Sequence, residues 1–96
     1  MYFPKILTIE ASEKYKLKIV FDDGTKGIYD VADIAGKGVF KIWDAGNNFF
    51  NVHINKVSGA ISWPGEIDID TLNAYCSIKG ISADQFIHKQ VNLATN

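Results

Sequence analysis

The sequence has one cysteine, two histidines and no long apolar run, and each shortage excludes a class of structure. Cys76 alone cannot form an internal disulfide or a zinc site built on several cysteines. His53 and His88 lack the spacing of a metal-binding pair or a catalytic triad. We therefore expect no metal site, no cofactor and no catalytic residues. No apolar stretch approaches the roughly 20 residues that span a bilayer, so we expect no membrane association.

The chain also lacks an excess of charge of either sign. Ten basic and 11 acidic residues give a formal net charge of −1. Because a basic footprint is the usual first sign of a nucleic-acid partner, this balance disfavours one. The glycines match neither the Gly-x-x-x-x-Gly-Lys-Ser/Thr nor the Gly-x-Gly-x-x-Gly phosphate-binding pattern. Met1–Lys5 does not begin a signal peptide, and we expect a cytoplasmic location.

What the chain does contain is typical of a single globular domain over residues 1–96. The composition is 47% hydrophobic and 22% charged. Residues 6–9 are a short β-prone run, which the polar residues 10–14 are expected to break. Residues 15–21 alternate between apolar and polar side chains, which predicts a half-buried strand, and Asp23-Gly24 predicts a hairpin to a return strand over 25–31. The two open registers pair Ile19 with Ile28 across a two-residue loop or Leu17 with Tyr29 across a three-residue loop. We prefer the second, which keeps Lys26 off the buried face.

The second half of the chain predicts further short elements. Residues 39–43 favour one amphipathic helical turn, and residues 49–55 alternate like a strand with Phe50, Val52 and Ile54 inward. A strand over 60–63 would complete a hairpin and must end at Trp63, because Pro64 has no N–H to donate. The predicted fold class is therefore α+β, with an antiparallel sheet of about five short strands and two C-terminal helices.

Capping signals delimit the two predicted helices. Asp68 or Asp70, with Thr71 as a third possibility, is placed to cap the first helix, and Gly80 is suited to end it. Ser82 and Gln85 form a capping box, so we expect a second helix over about 83–92.

An ordered series of motifs resembles the bacterial domain-of-unknown-function family 2442. The motifs are Pro4, Leu17–Gly24, Tyr29–Val31, Gly38–Phe40, Trp43–Asp44, Phe50–Val52, Gly59–Pro64, Asp68–Asp70 and Tyr75. The resemblance covers residues 4–75 and leaves 76–96 as a helical extension. Thr71 and Leu72 depart from the family pattern, which usually has proline and then an acidic residue there.

This resemblance implies a small α+β domain and no established activity. By gene arrangement, some family members resemble partners of small toxin-like proteins, and some longer members carry a helix-turn-helix after this domain. The resemblance therefore implies a protein partner, with a small toxin-like protein as the narrowest form of that expectation.

The candidate site residues are two tryptophans and three acidic residues. All of them except Trp43 lie in residues 59–70, where a buried strand, a Pro-Gly exit and a helix start follow one another, and which we call the organising stretch. Trp43 and Trp63 are expected in the core, with an exposed partner-binding role as the alternative. Glu66, Asp68 and Asp70 could serve acid–base or metal chemistry, but helix capping explains the same residue types. We retain all five as possible interaction residues.

Three function classes follow, in order of preference. The first is a non-catalytic protein-interaction or regulatory module, antitoxin-like in its narrowest form. The alternative is a nucleic-acid-binding regulator that uses a helix-turn-helix-like C-terminus over residues 71–92, although Lys79 and Lys89 occupy positions that are normally apolar in that motif. An enzyme is third, since the sequence contains no visible nucleophile–base pair. The oligomeric state is left open.

Overall fold

Two separate antiparallel sheets, each of three strands, carry the fold in the computed structural model, which describes residues 3–44, 46–65 and 67–88. The first sheet has the order β1-β2-β3 and the second β4-β5-β6. The strands are β1 Ile6–Glu13, β2 Lys16–Phe21, β3 Lys26–Asp30, β4 His53–Ile54, β5 Ile61–Trp63 and β6 Ile67–Ile69. The α+β class is confirmed. The expected single sheet of about five strands is wrong, because residues 67–69 form a sixth strand instead of a turn.

The first sheet has the preferred register of the predicted hairpin. Leu17 pairs with Tyr29 across the three-residue turn 22–24, in which Gly24 has φ of +89°. The inward side chains of β2, Leu17, Ile19 and Phe21, are buried. The alternation of β2 therefore specified its buried face correctly.

Strand β1 is longer than the sequence predicted. Residues 10–13 are polar and were expected to break the strand, yet they continue it. Glu10 and Glu13 approach Lys18 and Lys16 of β2 at 3.9 and 3.2 Å, in ion pairs on the solvated side of the sheet. A strand that is solvated on one face tolerates such residues.

Two 3-10 helices, Gly38–Asp44 and Asn48–Asn51, connect the sheets. The first confirms the helical turn predicted over 39–43. The second contradicts the strand predicted over 49–55, of which only His53–Ile54 forms a strand. The predicted phase is also wrong, because Phe49 is buried while Phe50 is 46% exposed. Phe49 packs against both tryptophan rings, and this tertiary contact outweighs the local alternation.

The core between the two 3-10 helices is a cluster of aromatic rings. Trp43 and Trp63 are both buried, with ring centroids 4.7 Å apart. The indole N–H of Trp63 donates to the carbonyl oxygen of Phe49 at 2.8 Å, which satisfies the polar group of this buried ring. The indole N–H of Trp43 is buried and has no hydrogen-bond partner in the described part of the chain.

The helix α1, Thr71–Lys79, packs on β3 of the first sheet. Asp70 caps it by accepting from the Leu72 N–H at 3.2 Å, and Gly80 ends it with φ of +73°. The contact with β3 is close at Gly27, because the side chain of Ile78 leaves no room there for a Cβ atom. None of the helices among the described residues is long and apolar enough to cross a membrane.

The predicted capping box after α1 is confirmed by both of its hydrogen bonds. The Ser82 N–H donates to Oε1 of Gln85 at 2.8 Å, and the Gln85 N–H donates to Oγ of Ser82 at 3.0 Å. Residues 83–88 are helical. The predicted continuation to residue 92 lies outside the described residues.

Gly27→Ala should destabilise the fold through its contact with α1. A Cβ atom at residue 27 would lie 2.8 Å from Cγ2 of Ile78, so we expect a loss of about 1–3 kcal/mol in the free energy of unfolding. Denaturant titration of Gly27→Ala, Ile78→Ala and the double variant measures the coupling, and the loss at residue 27 should shrink in the Ile78→Ala background.

Gly24→Ala is the control, because nothing lies within 4 Å of a Cβ built there and its cost comes from the positive φ alone. Its loss should be unchanged by Ile78→Ala. If Ile78→Ala reduced the loss of stability equally at residues 24 and 27, the packing of α1 on Gly27 would be contradicted.

The two buried tryptophans should respond differently to phenylalanine. Trp63→Phe leaves the Phe49 carbonyl without its donor, whereas Trp43→Phe removes an indole N–H that has no partner. Since both variants lose similar ring area, we expect Trp63→Phe to cost about 1 kcal/mol more in the free energy of unfolding. Denaturant unfolding monitored by circular dichroism tests this, and equal losses would contradict the role of the hydrogen bond.

Candidate functional site

The organising stretch 59–70 forms a hairpin followed by a helix cap. Strands β5 and β6 pair antiparallel with Trp63 opposite Ile67, across a turn that contains Pro64 and Gly65. Gly65 has φ of +97°, a conformation that side-chain-bearing residues rarely adopt. Pro64 and Gly65 are exposed. The hairpin therefore buries the Trp63 ring and displays the turn that follows it.

The two acidic candidates of this stretch that the structure describes have separate roles. Asp68 lies on β6, where its Oδ1 accepts from the hydroxyl of the buried Ser62 at 2.6 Å. Asp70 caps α1, while the Thr71 hydroxyl donates to the carbonyl oxygen of Gly59. Glu66 lies outside the described residues. Among the residues that the structure describes, no cluster of three or more His, Cys, Asp or Glu side chains is placed to hold a metal ion.

A tyrosine–carboxylate contact that sequence reasoning missed joins the first sheet to the first 3-10 helix. The Tyr15 hydroxyl donates to Oδ1 of Asp44, and the Tyr15 ring lies against Trp43 and Phe49. The hydrogen bond to Asp44 raises the pKa of Tyr15, with desolvation and the carboxylate charge acting in the same direction. Tyr15 has φ of +67°, which is unfavourable for a residue with a side chain, and the contacts with Asp44, Trp43 and Phe49 offset this strain. No local pattern in the sequence signals a partner 29 residues away.

A second tyrosine–carboxylate pair ties α1 to the hairpin turn 22–24. The Tyr75 hydroxyl donates to Oδ2 of Asp23 at 2.7 Å. This hydrogen bond is the largest cause that lowers the pKa of Asp23, and backbone donation from Thr25 adds to it. Burial, followed by the Asp23 contact, raises the pKa of Tyr75. The pair links residues that are 52 positions apart in the sequence, and its role here is to hold two elements together.

An exposed apolar surface lies on the outer side of the first 3-10 helix. Val39 and Ile42 are 68% and 38% exposed, and their spacing of three places them on one face of a helix with three residues per turn. Cδ1 of Ile42 lies 3.5 Å from a Cβ built on Gly65, next to Pro64. We call Val39, Ile42, Pro64 and Gly65 the Val39 patch. The sequence did not reveal this patch, because Val39, Phe40, Ile42 and Trp43 are all apolar and their pattern does not show which of them are exposed.

The two tryptophans support the Val39 patch from the core side. Trp43 belongs to the same 3-10 helix as Val39 and Ile42, and Trp63 immediately precedes the turn at Pro64. Their burial confirms the expected core positions. A direct role for either indole in contacting a partner stays a prediction, and it would require the ring to leave the core.

The helix-turn-helix alternative concerns the helical residues 83–88. That segment exposes Asp84, Gln85, Ile87 and His88 and contains no lysine or arginine. Residues 89–92 of the proposed recognition helix lie outside the described residues. DNA affinity depends largely on neutralising phosphates, so nothing in the described segment favours this alternative, which stays a prediction.

The Asp23–Tyr75 pair should make stability depend on acid pH. Because the folded pKa of Asp23 is lowered, its contribution is present above the unfolded pKa of about 3.9 and is lost as pH falls through the folded value. Tyr75→Phe should therefore cost about 1 kcal/mol of unfolding free energy at neutral pH, and this difference from wild type should shrink below about pH 4. Denaturant titrations from pH 2 to 7 measure it. Tyr29→Phe is the control, because it removes a hydroxyl that does not bind Asp23, and it should leave the pH dependence of stability at acid pH unchanged. If the loss of unfolding free energy caused by Tyr75→Phe were the same at every pH, the linkage to Asp23 would be contradicted.

Comparison with known proteins adds one match. No curated protein and no solved structure matches the chain. A family model described as "Protein of unknown function (DUF2442)" matches residues 6–76. The matched segment runs from the start of β1 into α1 and includes both sheets, the two tryptophans and the Val39 patch. Because it covers most of the 96 residues, the chain belongs to the DUF2442 family.

Proposed function

We propose that this domain is a non-catalytic module that binds another protein through the Val39 patch. The observation that carries the proposal is the exposure of Val39 and Ile42 on one face of a 3-10 helix whose neighbouring face is anchored by the buried Trp43. An apolar surface held in one conformation loses little conformational entropy on binding. Such surfaces on soluble domains commonly mark protein-interaction sites.

The non-catalytic part of the proposal rests on what the polar side chains do. The acidic residues that the structure describes near the patch have structural partners: Asp68 accepts from Ser62, Asp70 caps α1 and Asp44 accepts from Tyr15. Cys76 is buried in α1, and desolvation raises the pKa of its thiol, which disfavours the reactive thiolate. These groups are engaged in stabilising the fold instead of being poised for chemistry.

The family resemblance supports the narrower form of the proposal. It implies a small toxin-like protein as the partner and an antitoxin-like, regulatory role for this chain. The Val39 patch fits such a role because a small patch of apolar side chains beside a rigid turn can receive one apolar anchor from a partner. Acidic side chains around the Val39 patch would add to recognition of the partner. Asp44 and Asp68 are exposed and lie close to Ile42 and Gly65 of the patch in the sequence.

Charged substitutions in the Val39 patch should weaken binding of the partner without unfolding the domain. We expect Val39→Asp and Ile42→Asp each to raise the Kd at least about tenfold, because a carboxylate would be desolvated at the interface. The partner is first captured with a tagged wild-type chain from its native cell, then purified, and the Kd values are measured by calorimetry.

Val57→Asp provides the matched control. Val57 is 98% exposed in the turn before β5, whereas the Val39 patch includes the turn after β5. The control should leave the Kd and the melting temperature unchanged. Equal weakening by Val57→Asp, or full binding by both patch variants, would contradict the proposed site.

A further inference from the structure

We infer that the free edge of β3 pairs with the same edge of a second copy of this chain, antiparallel and centred on Ile28. Within residues 3–44, 46–65 and 67–88, the first sheet ends at β3, since its order is β1-β2-β3. The inference goes beyond the proposed function, because this edge belongs to the first sheet and the Val39 patch does not. It would join two three-stranded sheets into one continuous sheet.

The direction of the backbone groups on β3 follows from the hydrogen bonds at its two ends. The Phe21 N–H donates to the Thr25 carbonyl at 2.8 Å, and the Val31 N–H donates to the Tyr15 carbonyl at 2.8 Å. In an antiparallel pair, hydrogen-bonded residues alternate along the strand. The N–H and C=O groups of the odd-numbered residues of β3 therefore point to β2. Those of the even-numbered residues, Lys26, Ile28 and Asp30, point to the free edge. No described hydrogen bond reaches these outward backbone groups.

The side chains of these residues are self-complementary about Ile28. All three are exposed, and Ile28 is 49% exposed. A two-fold axis at Ile28 places each Ile28 opposite its symmetry mate and each Lys26 opposite Asp30 of the second copy. Each of the three positions would be a hydrogen-bonded pair, giving roughly six backbone hydrogen bonds. An isologous interface requires this kind of self-complementary pattern.

Positive and negative side chains alternate in one row across the strands of the first sheet, and the second copy would continue this alternation across the proposed interface. On the solvated face, Glu13 of β1 pairs with Lys16 of β2 at 3.2 Å, and Lys16 lies opposite Asp30 of β3. Lys26 of the second copy would come next, so that negative and positive side chains alternate along the row. Opposite charges on neighbouring strands are favourable, and like charges are unfavourable.

Edge charges usually prevent strands from associating, and here they select one register. A shift of two residues along the edge would place Ile28 opposite Lys26 or Asp30 and would break the charge pairing. Only the arrangement centred on Ile28 satisfies both charges and the apolar side chain. Because one short strand buries a small area, the dimer should be weak and concentration-dependent.

Charge exchange at the edge tests the inference on the full chain by sedimentation velocity over a concentration series. Lys26→Asp places two carboxylates opposite each other, and Asp30→Lys places two ammonium groups opposite each other. We expect each variant alone to self-associate at least about tenfold more weakly than wild type. An equimolar mixture of the two should recover dimers, because each edge carboxylate of one variant would then face an edge ammonium group of the other.

A proline at position 28 provides a second test. The Ile28 N–H points away from β2, so Ile28→Pro removes no hydrogen bond of the β2–β3 ladder but blocks the edge. It should abolish association, while Ile28→Val should retain it. Wild type that stays monomeric up to about millimolar concentration, or a mixture that associates no better than either charge variant alone, would overturn the inference.

Hydrogen exchange of the wild-type chain keeps the test decisive if a variant fails to fold. The Ile28 amide should exchange more slowly as protein concentration rises, while the amide of Val57 in a remote turn should not change. Exchange of the Ile28 amide that is independent of concentration would overturn the inference.

Discussion

The contact between Trp43 and Trp63 is the interaction on which the rest of the structure depends. The second sheet has strands of only two or three residues, too few to be stable alone. The first 3-10 helix also has weak internal hydrogen-bond geometry. Both are fixed because their tryptophans meet at 4.7 Å and share Phe49 as a neighbour. The aromatic cluster thus supplies the stability that the short elements lack.

The features that could be predicted from the sequence are those whose causes are local. The Asp23-Gly24 turn and the Ser82–Gln85 capping box each arise from residues within a few positions of each other, and both were predicted correctly. Strand β6 and the 3-10 helix at residues 48–51 were not. The 3-10 helix depends on tertiary packing, since Phe49 contacts Trp43 and Trp63. Strand β6 pairs with β5 across a short turn, but the aspartates at 68 and 70 also suit a helix cap, and the residue types alone did not distinguish the two. In the candidate site, a helix cap at Asp68, Asp70 or Thr71 was predicted and Asp70 provides it, whereas the Tyr15–Asp44 contact was not predicted.

Departures from local rules concentrate around the first 3-10 helix. Tyr15 adopts a positive φ to place its hydroxyl on Asp44, and the buried indole N–H of Trp43 has no partner in the described part of the chain. Each costs free energy that an optimised core would avoid. Natural proteins break such rules mostly at functional sites. The same helix carries Val39 and Ile42, so both departures involve contacts or side chains of the element that bears the proposed binding surface.

The two proposed surfaces have different supports within the fold. The Val39 patch depends on the aromatic cluster and on the turn after β5, whereas the β3 edge depends on the β2–β3 ladder and the packing of α1 on Gly27. Neither surface uses residues of the other, so pairing at β3 leaves the patch available. A dimer would then present two patches, and a partner with two copies of its own anchor would bind with a higher effective concentration than either patch alone provides. Weak self-association through one strand would in this way increase the affinity of a binding site built on another part of the chain.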